Sequence, residues 1–170
     1  MSHASLHRLA TAATLACVVA ACESVDPRQE LEVQELEAYW VVDTPRGETQ
    51  YLAPLVRFRL RNHGAKRLRS IQATATFRRK GEESQSWGSA FAQVTPAAKP
   101  LGPGQESSVE LRSDGRYSST GPPESMFAHK LFKDAKVEVF VRIGPSAWTK
   151  LAESGVERRI GSRNAEALLR

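Results

Sequence analysis

Few residues of this 170-residue chain have the type and spacing to do chemistry: two thiols, two histidines in the body of the sequence and a row of three arginines. The thiols, Cys17 and Cys22, both lie near the N-terminus, remote from anything they could cross-link. His63 and His129 are 66 positions apart and lack a nearby acidic pair at ligand spacing, so they do not read as a metal centre. No serine occupies a Gly-x-Ser-x-Gly turn. Gly102-Pro103-Gly104 leads into a strand pattern instead of opening a helix, so it is a turn and not a phosphate cradle. Asp43, Asp114 and Asp134 fall in turns or at strand starts, the ordinary place for short carboxylates. These absences predict a protein that is not an enzyme and holds no metal or cofactor. Arg57, Arg59 and Arg61 alternate along one segment and therefore emerge on one face of a strand. Such a row suits an anionic partner, the phosphates of lipid headgroups or lipopolysaccharide. Arg67, Arg69 and Arg78 on the following segment widen it. The competing reading pairs the row with acids on a neighbouring strand, Glu35 and Glu37. No aromatic residue interleaves with the arginines, which argues against nucleic acid.

The elements that position these residues begin after a leader. Residues 1–8 carry Arg8, and residues 9–20 form an apolar run broken only by Thr11 and Thr14. A dozen apolar residues are too few for a permanent membrane span, which takes roughly 20, but they suit a secretory signal. Val19-Ala20-Ala21 before Cys22 resembles the lipobox of bacterial lipoproteins, with Cys17 a poorer alternative behind Thr14-Leu15-Ala16. The resemblance implies cleavage between Ala21 and Cys22, removal of residues 1–21, acyl chains on Cys22, and a protein held at the bacterial cell envelope by effectively permanent lipid attachment. Glu23 stands where the enterobacterial retention signal has Asp, which leans toward the outer membrane, facing the periplasm. Cleavage there leaves no free thiol, so no disulfide supports the fold. Of 24 basic and 19 acidic residues only Arg8 is lost, leaving a mildly basic chain that permits acidic partners without demanding them.

Residues 22–30 are polar and interrupted by Pro27, the composition of a lipidated flexible tether. Period-2 alternation then dominates over residues 31–160. Residues 31–42 alternate with a phase change at Gln34-Glu35 that predicts a bulge. In residues 55–61, Val56, Phe58 and Leu60 oppose the arginines, and Ile71, Ala73, Ala75 and Phe77 oppose Gln72, Thr74, Thr76 and Arg78. Further strands are expected at 87–94, 107–112 (Val109 and Leu111 inward), 137–143 and 148–160, the last bent at Gly155. A short helix is expected in 122–132, and residues 161–170 form a C-terminal tail, a helical turn or a frayed end.

Seven short strands separated by turn signals predict an all-β protein, a single immunoglobulin-like β-sandwich. The run Val56-Arg57-Phe58-Arg59-Leu60-Arg61-Asn62-His63-Gly64, then Leu68 and Ile71, then Leu101-Gly102-Pro103-Gly104, resembles the FxLYD-type Ig-like domains of bacterial envelope proteins. That resemblance spans about residues 50–143 and implies a fold without implying an active site. Residues 114–133 make a long connection bearing Tyr117, Met126 and Phe127, either a partner-binding loop or a crossover whose apolar side chains cap the sandwich. Phe140 points away from the inward valines of its strand.

Two functions follow as expectations. One is an anchored, non-enzymatic module contacting another envelope component, a protein. The other is a carrier or sensor of an amphipathic anionic ligand such as a lipid. Oligomeric state has no signature in the sequence. The anchor is directly testable: Cys22→Ser should leave an unprocessed precursor that takes up no acyl label, and normal labelling of that variant would move attention to Cys17.

Overall fold

Alternation becomes two faces when strands pair, and the computed structural model shows where each face goes. It describes residues 25–46 and 49–161. The cleavage and lipidation positions Ala21 and Cys22, and the tail from residue 162, lie outside the described residues.

Among the described residues nine strands form two sheets. β1 (Leu31–Arg46), β2 (Thr49–Asn62), β5 (Glu106–Arg112), β6 (Tyr117–Ser119) and β9 (Glu157–Gly161) make the first, in the order β5-β2-β1-β9, with β6 pairing β2. β3 (Ile71–Arg79), β4 (Gly88–Thr95), β7 (Ala135–Ile143) and β8 (Thr149–Gly155) make the second, in the order β4-β3-β7-β8. The sheets pack face to face as an all-β sandwich. The strand count exceeds the expected seven for two local reasons. The expected last strand divides at Val156, which is 6% exposed: β8 stays in the second sheet, while β9 crosses to run parallel to β1. The three-residue β6 is too short to show periodicity.

β3 and β7 carry the clearest pattern, buried and half-buried residues alternating along both. Their register sets Ala73 opposite Val141, Ala75 opposite Val139 and Phe77 opposite Val137. Trp40 of the facing sheet, the largest fully buried side chain, joins the same core at 0% exposed. β1 keeps its apolar side inward through the expected bulge: register slips between Gln34 and Glu37, and Glu35 takes φ 50°. Leu31 and Val33 before the bulge, and Leu36, Ala38 and Trp40 after it, therefore all face the core.

Two expectations are corrected at the edges. Residues 27–30 are not flexible tether. Asp26 caps them by accepting from Arg28 N at 3.0 Å, Pro27 supplies the fixed φ of a first helical position, and the resulting turn, α1 (Pro27–Glu30), buries Pro27. The helix expected over 122–132 is a shorter 3-10 helix, Pro123–Ala128. Among the described residues no helix is long and apolar enough to cross a membrane.

The sandwich has two differently built ends. Where β1 begins, β2 ends in Asn62, which is 0% exposed. Its Nδ2 donates to the carbonyls of Lys66 (2.8 Å) and Leu101 (2.9 Å), and its Oδ1 accepts from Gly64 N at 3.0 Å. Its backbone N–H donates to Gln105 O and its carbonyl accepts from Gly104 N. Gly104 has φ 72°, which only glycine adopts without strain. At the other end, Trp40 is ringed by Trp87, Tyr117, Phe127 and Phe132, with centroids 5.1–6.3 Å from its own. Asn62→Ala should cost roughly 2–4 kcal/mol, since it strands several buried polar groups at once, and urea denaturation midpoints would measure it. A loss under about 1 kcal/mol would mean that water replaces the amide.

Candidate functional site

The arginine row is where alternation requires, on the outer face of the first sheet, and the acids of β1 meet it. Arg57 Nη2 lies 3.1 Å from Glu37 Oε2, and Arg59 Nε lies 3.1 Å from Glu35 Oε2. Arg59 also reaches Glu106 Oε2 at 3.6 Å. Glu37 takes a second cation, Arg159 Nη2 at 3.0 Å, and both Arg57 and Arg159 lie over the Tyr39 ring, 5.6 and 4.2 Å from its centroid. The Arg159 hydrogen bond, opposed by partial desolvation and aided by Arg57, holds the Glu37 carboxyl below its ordinary value. Arg57 and Arg59 are thus compensated within the sheet, and the pairing with Glu35 and Glu37 weighed from sequence is what the structure shows. Arg61 differs: it is exposed and makes no ion pair among the described residues. Arg78 pairs with Glu138 at 3.0 Å on the other sheet and does not widen the row.

The connection bearing Tyr117, Met126 and Phe127 closes the core. Met126 is 8% exposed, while Tyr117 and Phe127 are half-buried against the Trp40 cluster. Tyr117 Oη also accepts from Lys133 N at 3.1 Å, fastening the two ends of the connection to each other. These three residues serve packing, and the exposed apolar side chain of the connection is Leu131. Beside it lies an open groove of about 580 Å³ lined by Arg116, Tyr117, Met126, His129 and Leu131, among others. Arg116 pairs with Asp43, itself also paired with Arg112. His63 and His129 are both exposed and lie at opposite ends of the sandwich, and no cluster of metal-binding side chains occurs among the described residues.

Reading motifs did not single out Phe91 and Trp148. They meet edge to face on the outside of the second sheet, centroids 6.5 Å apart, and stay 60% and 39% exposed. The Arg142 guanidinium lies 4.7 Å over the Trp148 ring and donates to Gln72. Phe140 sits between its cross-strand neighbours Thr74 and Lys150 on the same face. The signal was present in part: Phe91 occupies the polar phase of its strand, between Ser89 and Gln93, where a phenylalanine has no core to enter. Trp148 stands at the start of the strand expected over 148–160, and only the fold brings it to Phe91.

No protein-family model matches this chain, and a search of curated proteins finds no match.

Glu37 provides a pH test with a defined sign. Its carboxyl is lowered in the fold from 4.5, so the stability it contributes is present above that value and lost as pH falls through the lowered one. Glu37→Gln should change stability at neutral pH by no more than about 1 kcal/mol, because the pair is exposed. It should also flatten the decline in stability below pH 4.5. An unchanged acid limb in thermal melts would show that Glu37 titrates as it does when unfolded.

Proposed function

We propose that this protein is a lipid-anchored, non-enzymatic binding module of the bacterial envelope that contacts another envelope protein. Acyl chains on Cys22 hold it, in the outer membrane facing the periplasm, and nucleic acid is not its partner. The anchor rests on the lipobox-like Val19-Ala20-Ala21-Cys22 and the short apolar leader before it. The observation that carries the partner reading is the contrast between the two sides of the second sheet. Its inner side is core: Ile71, Ala73, Ala75, Phe77, Val137, Val139 and Val141 are all 0% exposed. Its outer side holds Phe91 and Trp148 in water. Rigid aromatic side chains exposed as a pair are favourable anchors for a protein surface, giving contact area at little cost in side-chain entropy.

The second reading, an amphipathic anionic ligand, is favoured only by the groove beside Met126 and Leu131. Its expected headgroup site is weakened by the pairing of Arg57 and Arg59.

A photo-crosslinking residue at position 91 in intact cells should trap one protein partner, and Trp148→Ala should abolish the adduct. The same residue at Ser108, on the outer side of the first sheet, should trap none. Matching adducts from both positions, or none from position 91, would contradict the proposal.

A further inference from the structure

Most basic residues of the sandwich are neutralised by position. Arg57, Arg59, Arg78, Arg79, Arg112, Arg116, Lys133, Lys150, Arg158 and Arg159 all have a carboxylate partner. Lys80 and Lys136 face Glu83 and Asp134 closely enough to lower those carboxyls. Of the remaining cations whose side chains are described, Lys130 is exposed at the far end and Arg142 lies over the Trp148 ring, and the other six gather together. Arg28 of α1, Arg61 at the end of β2, Lys66, Arg67 and Arg69 in the turn that follows, and Lys99 in the turn before β5 are exposed and lack an ion pair among the described residues.

These six share one end of the molecule. His63 N donates to Glu30 O and fastens α1 to the Asn62 turn. The Leu68–Leu101 bridge joins the two turns, and Arg69 Nη1 donates to Ala97 O at 3.2 Å across them. The carboxylates of this end are fewer than its cations, and among the described residues none forms an ion pair with these six. Asp26 caps α1, Glu32 accepts from Gln34, Glu106 reaches Arg59, and Glu30 is turned in over Gly64 with Oε2 buried. Trp148, with Arg142 on its ring, follows the β7–β8 turn of the same end, since Gly144 N donates to Ser70 O.

This is also the end at which the chain enters the sandwich. From Cys22 to Asp26 an extended chain spans at most roughly 14 Å. We infer that this end, through Arg28, Lys66, Arg67, Arg69 and Lys99, docks on the anionic phospholipid headgroups of the bilayer carrying the protein. The inference rests on the anchor reading for its orientation, while the charge distribution stands without it. Uncompensated lysines and arginines near an anionic surface are attracted to its potential over about a Debye length. The lipid acts here as a surface and not as a ligand in a pocket.

The test uses the unacylated chain from position 22 with Cys22→Ser, so that no acyl chain contributes. Cosedimentation with vesicles of phosphatidylcholine alone and with about one third phosphatidylglycerol should show at least ~10-fold tighter binding to the anionic vesicles, weakening as salt rises. Lys66→Gln, Arg67→Gln, Arg69→Gln and Lys99→Gln together should remove at least ~10-fold of that preference. Their exposure predicts a melting curve shifted only slightly, by loss of the exposed Arg69–Ala97 hydrogen bond. Arg57→Gln with Arg59→Gln, on the compensated row, should leave it intact. Equal binding to both vesicle types, or an equal loss from the two sets of variants, would overturn the proposal. Acyl labelling of the precursor decides the anchor separately, so either idea can fail alone.

Discussion

The buried amide of Asn62 is the interaction on which the arrangement of this protein most depends. It stands where β2 leaves the first sheet and the chain crosses to β3 in the second, and it bonds the turn at Lys66 and the strand entry at Leu101 together. A carbonyl buried without a donor costs about 1–3 kcal/mol, and several polar groups at this crossing find their partners on one residue. A hydrophobic residue of the same size would fill the space and leave those groups stranded. The side chain therefore does more than end a strand: it fixes the spacing of two turns that share no continuous sheet, and so decides where Lys66, Arg67, Arg69 and Lys99 project.

The opposite end is closed by different physics. Trp40 stands among four aromatic rings, three of them from the long connection after β5 and the segment leading into β7. Ring packing tolerates modest angular variation, which suits a closure built from a 3-10 helix and a three-residue strand. Its cations are also held more tightly: Arg158 meets Asp134 through two hydrogen bonds and keeps that carboxyl low. One end of the sandwich is thus polar inside and uncompensated outside, and the other is aromatic inside and, Lys130 apart, charge-paired outside.

How much of this was legible follows from range. Strict alternation in residues 55–61, 71–77 and 137–143 placed three strands and their inward faces, because period 2 is a local property. The bulge near Gln34-Glu35 was legible as a phase change for the same reason. β9 was not, since its pairing with Tyr39 and Val41 is a contact between distant segments. The first half of β2 was hidden by Pro54 and by an unbroken buried run from Leu52 to Val56 that shows no alternation. The Asp26-Pro27 start of α1 carried a recognisable cap, but a single turn has no periodicity to support it. For the site, the acids opposite Arg57 and Arg59 were named from their place on the preceding strand. The uncompensated end was invisible, because which cation lacks a partner depends on every carboxylate the fold brings near it.

The proposed anchor and the charge distribution together imply one orientation, in which the Asn62 end would lie against the bilayer and the outer face of the second sheet would be turned sideways. Chain that can reach at most roughly 14 Å precedes a sandwich whose longest strand, the 16-residue β1, extends about 50 Å. The most direct test is depth on the membrane. With Cys22 acylated, a nitroxide can be attached at a single new cysteine, at Lys99 or at Ser118, in anionic bilayers. The orientation predicts strong collision with a headgroup-bound relaxation agent at position 99 and almost none at position 118. Equal collision at both positions, or the reverse order, would contradict it.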